Sequence, residues 1–254
     1  MLMPRVIPVL LFREGGLYKT TRFKDPVYVG DPINAVKIFN EKEVDELVFV
    51  DITATAERRR PNFERIGEIA GECFMPLCYG GGVKTVDDVK DVIACGVEKV
   101  AINSHAVENP AFVREAASEL ASSTIVVSID VKRDFFGKHH VYTHGGTRKS
   151  EWNPIEFAML MEKMGAGELL LTSIDRDGTQ KGYDLELIKS VADAVSIPVI
   201  ACGGAGQVSH FSEALDVHAS AVAAGSMFVF HGRHRAVLIS FPSQQELKQA
   251  FHKV

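Results

Sequence analysis

Two glycine runs are the first features of this chain with a chemical consequence. Gly80-Gly81-Gly82 and Gly203-Gly204-Ala205-Gly206 each follow a short apolar run. Each is followed one unit later by a small polar pair, Asn103-Ser104 in the first case and Gly225-Ser226 in the second. Glycine turns let backbone N–H groups approach a phosphate, and a helix start adds partial positive charge. One such turn also serves as a plain tight bend. Two at matching positions point to two phosphate sites, hence to a ligand with two phosphates or to two separate anions. Carboxylates fall beside the same segments: Asp51, Asp130, Asp175 and Asp177. Asp130 directly follows Ile125–Ile129, where a carboxylate can carry protons if its pKa suits the task. The same position also suits an N-cap or an ion pair with Lys132 or Arg133, and the residue type leaves these readings open.

These groups need a frame, and the apolar pattern supplies one. Eight short runs rich in Val, Ile and Leu recur along the chain: Val6–Phe12, Leu47–Ile52, Met75–Tyr79, Val100–Ile102, Ile125–Ile129, Leu169–Ile174, Ile197–Cys202 and Ser220–Ala224. Such runs read as strands buried on both faces. Amphipathic stretches separate most of them. Asp31-Pro32 and Asn109-Pro110 are helix starts, with an N-cap residue before a proline in the first turn, and predict helices over Pro32–Lys42 and Ala111–Leu120. Eight strand–helix units in one α/β domain spanning 1–254 predict a (β/α)8 TIM barrel. The two glycine runs, the two small polar pairs, and Asp51 with Asp175 are each separated by about half the chain. The barrel therefore reads as two duplicated half-barrels, with its functional groups at the C-terminal ends of the strands. Arg133–Asn153 reads as a hairpin or long loop after the fifth strand.

The duplication gives Asp130 a counterpart at the end of the first strand, and that position is Leu11. Leucine cannot move a proton, so a paired acid and base would be half missing. Glu14 lies three residues further along a loop, as a substitute base at longer reach.

Composition removes several other classes. The chain has 254 residues, 46% hydrophobic and 24% charged, with a net charge of −5. That is ordinary for a globular domain, and no basic surplus argues for nucleic acid or an anionic membrane. Cys73, Cys78, Cys95 and Cys202 form no CxxC pair and read as buried thiols in or near strands, not as a metal site or disulfide frame. No metal or cofactor is expected. The segment Met1–Phe12 lacks the features of a signal peptide and no run is long enough to span a bilayer, so a cytoplasmic protein is expected. His139-His140 reads as an exposed turn, and His231, Arg233 and His234 as a solvated helix start.

Several stretches together carry a family resemblance. They are Asp45-Glu46-Leu47-Val48-Phe49-Val50-Asp51-Ile52-Thr53-Ala54, Gly80-Gly81-Gly82, Ala106-Val107-Glu108-Asn109-Pro110, Gly165-Ala166-Gly167-Glu168, Leu171-Thr172-Ser173-Ile174-Asp175-Arg176-Asp177-Gly178-Thr179 and Gly203-Gly204-Ala205-Gly206. The chain resembles, over nearly its whole length, the cyclase subunit of imidazole glycerol phosphate synthase. The resemblance implies a duplicated barrel holding a ligand with two phosphates. One phosphate would sit on Gly82, Asn103 and Ser104, and the other on Asp177, Gly178, Gly204, Gly225 and Ser226. It implies a glutaminase subunit docked under the barrel as a heterodimer, with ammonia entering through a charged ring of Arg5, Glu46, Lys99 and Glu168. It also implies catalysis by Asp130, with Lys19 as a retained loop residue and the family's first-strand aspartate replaced by Leu11. The segment His144–Asn153 lacks the family's usual Thr-Gly pair. A subgroup of this family is associated with acetamidino sugars of bacterial surface polysaccharides, where a separate sugar amidotransferase uses the ammonia. The expectation is thus a barrel that docks a glutaminase and passes on its ammonia, with ordinary cyclisation in histidine biosynthesis as the alternative.

Overall fold

A computed structural model describes residues 3–232 and 234–251, so Arg233 and the outermost ends of the 1–254 domain lie outside the described residues. Strand β1 (Arg5–Arg13) continues into a hairpin, β2 (Gly16–Thr21) and β3 (Lys24–Gly30), before α1 (Pro32–Glu41). Then come β4 (Leu47–Asp51), α2 (Phe63–Glu72), β5 (Leu77–Gly80), α3 (Val86–Ala94), β6 (Lys99–Ile102), α4 (Ser104–Glu108) and α5 (Pro110–Leu120). The second half repeats the plan. Strand β7 (Ile125–Arg133) continues into β8 (His139–Thr143) and β9 (Arg148–Lys149), followed by α6 (Pro154–Lys163) and β10 (Glu168–Ser173). After these come α7 (Leu185–Ala192), β11 (Val199–Cys202), α8 (Val208–Asp216), β12 (Ala221–Ala224), a short pair β13 (Phe230–His231) and β14 (Ala236–Val237), and α9 (Gln244–Phe251).

Eight of these strands pair in parallel in the order β1-β4-β5-β6-β7-β10-β11-β12, and β12 returns to β1 with Arg5 beside Ala221 and Ile7 beside Ala223. The sheet is closed, and helices surround it: a (β/α)8 barrel. All eight sequence runs are barrel strands. The half-barrel repeat is visible in the excursions, because β1 and β7 alone extend past the barrel rim into antiparallel hairpins.

The helix starts follow their sequence signals. Asp31 accepts the Asn34 N–H at 3.0 Å with Pro32 in the first turn, and Thr85 and Asp88 form a reciprocal capping box on α3. Asn109 makes no side-chain cap, so Pro110 alone carries that start.

Two apolar clusters hold the fold. The larger lies between sheet and helices, around Phe39, Phe157, Phe211 and Phe228. The smaller fills the barrel axis and is built from Ile7, Val9, Val48, Cys78, Ala101, Val126, Leu170 and Ile200, with Leu11, Val50 and Cys202 at its upper edge. Cys78 is buried there, whereas Cys73 and Cys95 cap helices and are half-buried. In the outer cluster the Tyr79 hydroxyl is buried without a hydrogen-bond partner among the described residues. An unmet buried hydroxyl costs about 1–3 kcal/mol. Tyr79→Phe is therefore expected to leave stability unchanged or raise it by about 1 kcal/mol, read from urea unfolding midpoints.

Three sequence expectations need correction. The segment after β1 is not a loop but the ordered hairpin β2–β3. His139 and His140 are not in an exposed turn; they lie in β8, where His140 meets Asp134 at 2.9 Å and His139 meets Asp184 at 3.4 Å. His231 sits in β13 and His234 in the turn that follows, so neither starts a helix. Among the described residues no helix is long and apolar enough to cross a membrane.

Candidate active site

At the N-terminal end of the barrel, four strand-start residues converge. The Arg5 guanidinium donates to both Glu46 and Glu168. The Lys99 ammonium meets Glu46 at 2.9 Å and Glu168 at 3.0 Å. Both carboxylates are buried and both cations partly so. Burial opposes the charge on Arg5 and Lys99, but pairing with Glu168 and Glu46 outweighs it and holds both above their ordinary pKa. The ring carries two charges of each sign and neutralises itself. Above it the axis is apolar up to Leu11, as the inner cluster requires.

At the C-terminal end the hairpin β2–β3 folds across the mouth. Thr20 donates its hydroxyl to Asp177 at 3.0 Å, and the Arg22 N–H donates to the Asp177 carbonyl at 2.9 Å. Phe23 packs over Gly146 and Ile174. Gly178, at φ +69°, lies against the Thr20 carbonyl where a Cβ would collide with backbone. Beneath the hairpin is an enclosed chamber of about 30 Å³, lined by Leu11, Lys19, Thr20, Asp177, Gly178, Cys202, Gly204, Gly225 and Ser226. The five residues expected at the second phosphate site are therefore together. The chamber itself has room for about one water-sized molecule.

Lys19 is carried into this chamber on β2. Its amine is buried and donates to the Val9 carbonyl. Burial pulls its pKa down to about 8, against the attraction of Asp177. Asp130 projects inward from β7, with the Ser128 hydroxyl 3.4 Å away. Burial is also the main cause that pushes Asp130 up to about 7, and the negative charge of Asp177 adds to it. Asp130 is thus neither an N-cap nor an ion-pair member; Arg133 pairs instead with Asp184 and Glu186.

The remaining acids separate from the chamber. Asp51 accepts from the Thr53 N–H, the Thr53 hydroxyl and the Ala54 N–H, each at 3.0 Å, and pins the loop after β4. Asp175 accepts the Arg133 N–H at 2.8 Å. Glu14 is exposed and paired with its neighbour Arg13, so it does not stand in for the missing aspartate.

The first expected phosphate group sits across the mouth. Asn103 donates to the Ser128 carbonyl at 3.0 Å and the Tyr142 carbonyl at 3.2 Å, joining β7 to β8. Ser104 accepts the His144 N–H at 3.0 Å. His144, Gly145 and Gly146 all have positive φ, so this turn bends tightly beside Ser104. Sequence reasoning flagged that segment as divergent but did not place His144 here. It also missed Thr20 and Cys202, whose ordinary residue types gave no signal; only the hairpin's closure brings Thr20 in.

The Asp130 carboxyl makes a signed pH prediction. Its folded-state pKa lies above the ordinary carboxylate value, so its contribution is fully present below about pH 4 and is lost as pH rises through about 7. Each unit of that gap is worth about 1.4 kcal/mol. Asp130→Asn should remove this decline, making the variant more stable than the parent at pH 8 but not at pH 4. Urea titrations at the two pH values check it.

The family model described as "Histidine biosynthesis protein" matches residues 5–235. A Pseudomonas aeruginosa protein named "Putative imidazole glycerol phosphate synthase subunit hisF2" is 51% identical, over 97% of this chain and 99% of its own. "Imidazole glycerol phosphate synthase subunit HisF" of Petrotoga mobilis is 45% identical over 90% of this chain and 91% of its own. The subunit of the same name from Alkaliphilus metalliredigens is 40% identical over the full length of this chain and 98% of its own.

Proposed function

This chain belongs to the histidine biosynthesis protein family, among the cyclase-type subunits of imidazole glycerol phosphate synthase, and from that membership we propose that it is the barrel half of a glutaminase-fed complex. A glutaminase docks under the Arg5/Glu46/Lys99/Glu168 ring and releases ammonia into the axis. The apolar lining suits neutral ammonia and resists ammonium, because an ion would be stripped of water there with no partner. At the mouth, Gly82, Asn103 and Ser104 hold one phosphate of the ligand. Asp177, Gly178, Gly204, Gly225 and Ser226 hold the other. Asp130 moves protons as the ammonia nitrogen enters the ligand, with Lys19 on the β1 side of the mouth, across the barrel from β7; the product is the imidazole named in the family. The observation that carries this reading is the juxtaposition itself: a self-neutralised ring at one end of an apolar barrel axis, and at the other end a glycine-turn chamber together with the buried Asp130 carboxyl, held near pKa 7.

One observation favours a second reading. Leu11 stands where the duplication and the family both place an acid, so the barrel could keep the ammonia path and leave cyclisation behind. The acceptor would then be a sugar destined for a surface polysaccharide, amidated by a separate amidotransferase. The test is the purified complex with its glutaminase, glutamine and the bis-phosphate substrate. Imidazole product that depends on this chain, at whatever rate Leu11 permits, supports the first reading. Glutamate release without imidazole overturns it and favours the second.

A further inference from the structure

We propose that Lys19 is an imine-forming residue that captures a phosphorylated ketone or aldehyde covalently at the barrel mouth. The inference rests on the reading that this mouth takes a phosphorylated ligand, and it assigns Lys19 chemistry in place of mere charge.

Four observations carry it. The Lys19 side chain is almost wholly buried, and the Val9 carbonyl is its one hydrogen-bond partner among the described residues. Its situation is the opposite of Lys99, which is neutralised by two carboxylates. The amine stands in the chamber beside the Gly225 turn, where a Cβ on Gly225 would lie 2.7 Å from Nζ. A carbonyl carbon held by its phosphate on Gly204, Gly225 and Ser226 would therefore meet that nitrogen. Leu11 lines the same chamber and carries no charge, so the amine has no counter-ion at that position on β1. A desolvated lysine is the amine that forms imines, because burial favours the free base, and here the free amine becomes abundant near pH 8. Finally, Lys19 rides on the β2–β3 hairpin, which already lies across the mouth through Thr20 and Asp177 and so holds the nitrogen beside the glycine turns.

The chemistry needs no further reagent. The free amine adds to the carbonyl carbon and forms the C–N bond. The carbinolamine oxygen then leaves as water, carrying both amine protons, and a C=N bond remains. Ammonia arriving through the axis adds to that imine carbon. Lys19 departs as the free amine, and the ligand keeps the ammonia nitrogen as its own imine. One covalent exchange thus delivers nitrogen to the carbonyl carbon without an aspartate at position 11.

The test uses the full chain with dihydroxyacetone phosphate and sodium borohydride, which reduces an imine to a stable secondary amine. Peptide mass spectrometry then locates the adduct. The expected result is labelling of Lys19 at least ten-fold above the mean of the other lysines, suppressed by inorganic phosphate and absent in Lys19→Arg. The arginine variant keeps the positive charge, and its circular dichroism and unfolding midpoint report whether it folds. Absence of a Lys19 adduct in the folded parent, or labelling no greater than at exposed lysines, overturns the proposal. The assay needs neither glutaminase nor cyclisation. Imidazole formation without an adduct would therefore sink the imine alone, and an adduct without imidazole formation would sink the cyclase reading alone.

Discussion

Leu11→Asp is expected to raise imidazole formation by about 10²–10⁴-fold over the parent chain, the range a single positioned acid–base group supplies. The reason is local. Leu11 lines the chamber that also holds Lys19 and Asp177, and it is paired with Val50 of β4 in the register. An aspartate there would face the mouth at the position that matches Asp130 in the duplicated half. The measurement is product formation by the complex with glutaminase, glutamine and the bis-phosphate substrate, parent against variant. Leu11→Asn controls for polarity, since it matches the aspartate variant in size and carries no proton-moving group. A parent that already matches the aspartate variant would mean that Leu11 is no handicap, and that another group, with Lys19 foremost, does the work. The substitution also has a stability cost, because a carboxylate placed at the upper edge of the apolar axis loses solvation.

The second large effect is at the other end of the barrel. Glu168→Ala is expected to destabilise the chain by about 3–5 kcal/mol, as breaking a buried ion pair does, because Arg5 and Lys99 are left with one carboxylate between them. Glu186→Ala is the comparison: that carboxylate is highly exposed and pairs with Arg133 at 3.0 Å, so its loss should cost under about 1 kcal/mol. Urea unfolding of the two variants against the parent reads the difference. Under conditions where Glu168→Ala remains folded, turnover driven by glutamine should fall further than turnover driven by added ammonium salt, since the ring lies at the opposite end of the barrel from the mouth. Equal losses from both nitrogen sources would remove the ring from the ammonia path.

Much of the frame was legible before any coordinates. The eight apolar runs could be read because each barrel strand is buried on both faces and must be continuously apolar. Asp31-Pro32 and Asn109-Pro110 announced helices because the signals at a helix start are local to a few residues. The duplication could be read from spacing alone, and it located Leu11 opposite Asp130 without any geometry. The bottom ring came from a resemblance, and not from charge pattern, because four charges at strand starts look alike whether solvated or paired.

What was not legible depended on contacts distant in sequence. Asp51, Asp130, Asp175 and Asp177 look equivalent as residues beside strand ends. The fold spends Asp51 on its own loop and Asp175 on the Arg133 backbone, and leaves Asp130 and Asp177 at the mouth. His139 and His140 were misread because a β-hairpin's pairing is decided across the hairpin.

Sequence by itself determined the closed barrel, its twofold internal repeat, the glycine turns and the leucine at the first-strand position that matches Asp130, since each is encoded in residue type at short range or in fixed spacing. Tertiary structure alone decided the state of the groups that would do chemistry. Lys19 lies in a segment that reads as an exposed loop, and only the hairpin's closure onto Asp177 buries its amine in the mouth. Asp130 is an ordinary aspartate in sequence, and its burial, helped by the charge of Asp177, raises its pKa toward neutrality. Burial is a property of what packs around a residue, and that is written across the whole chain.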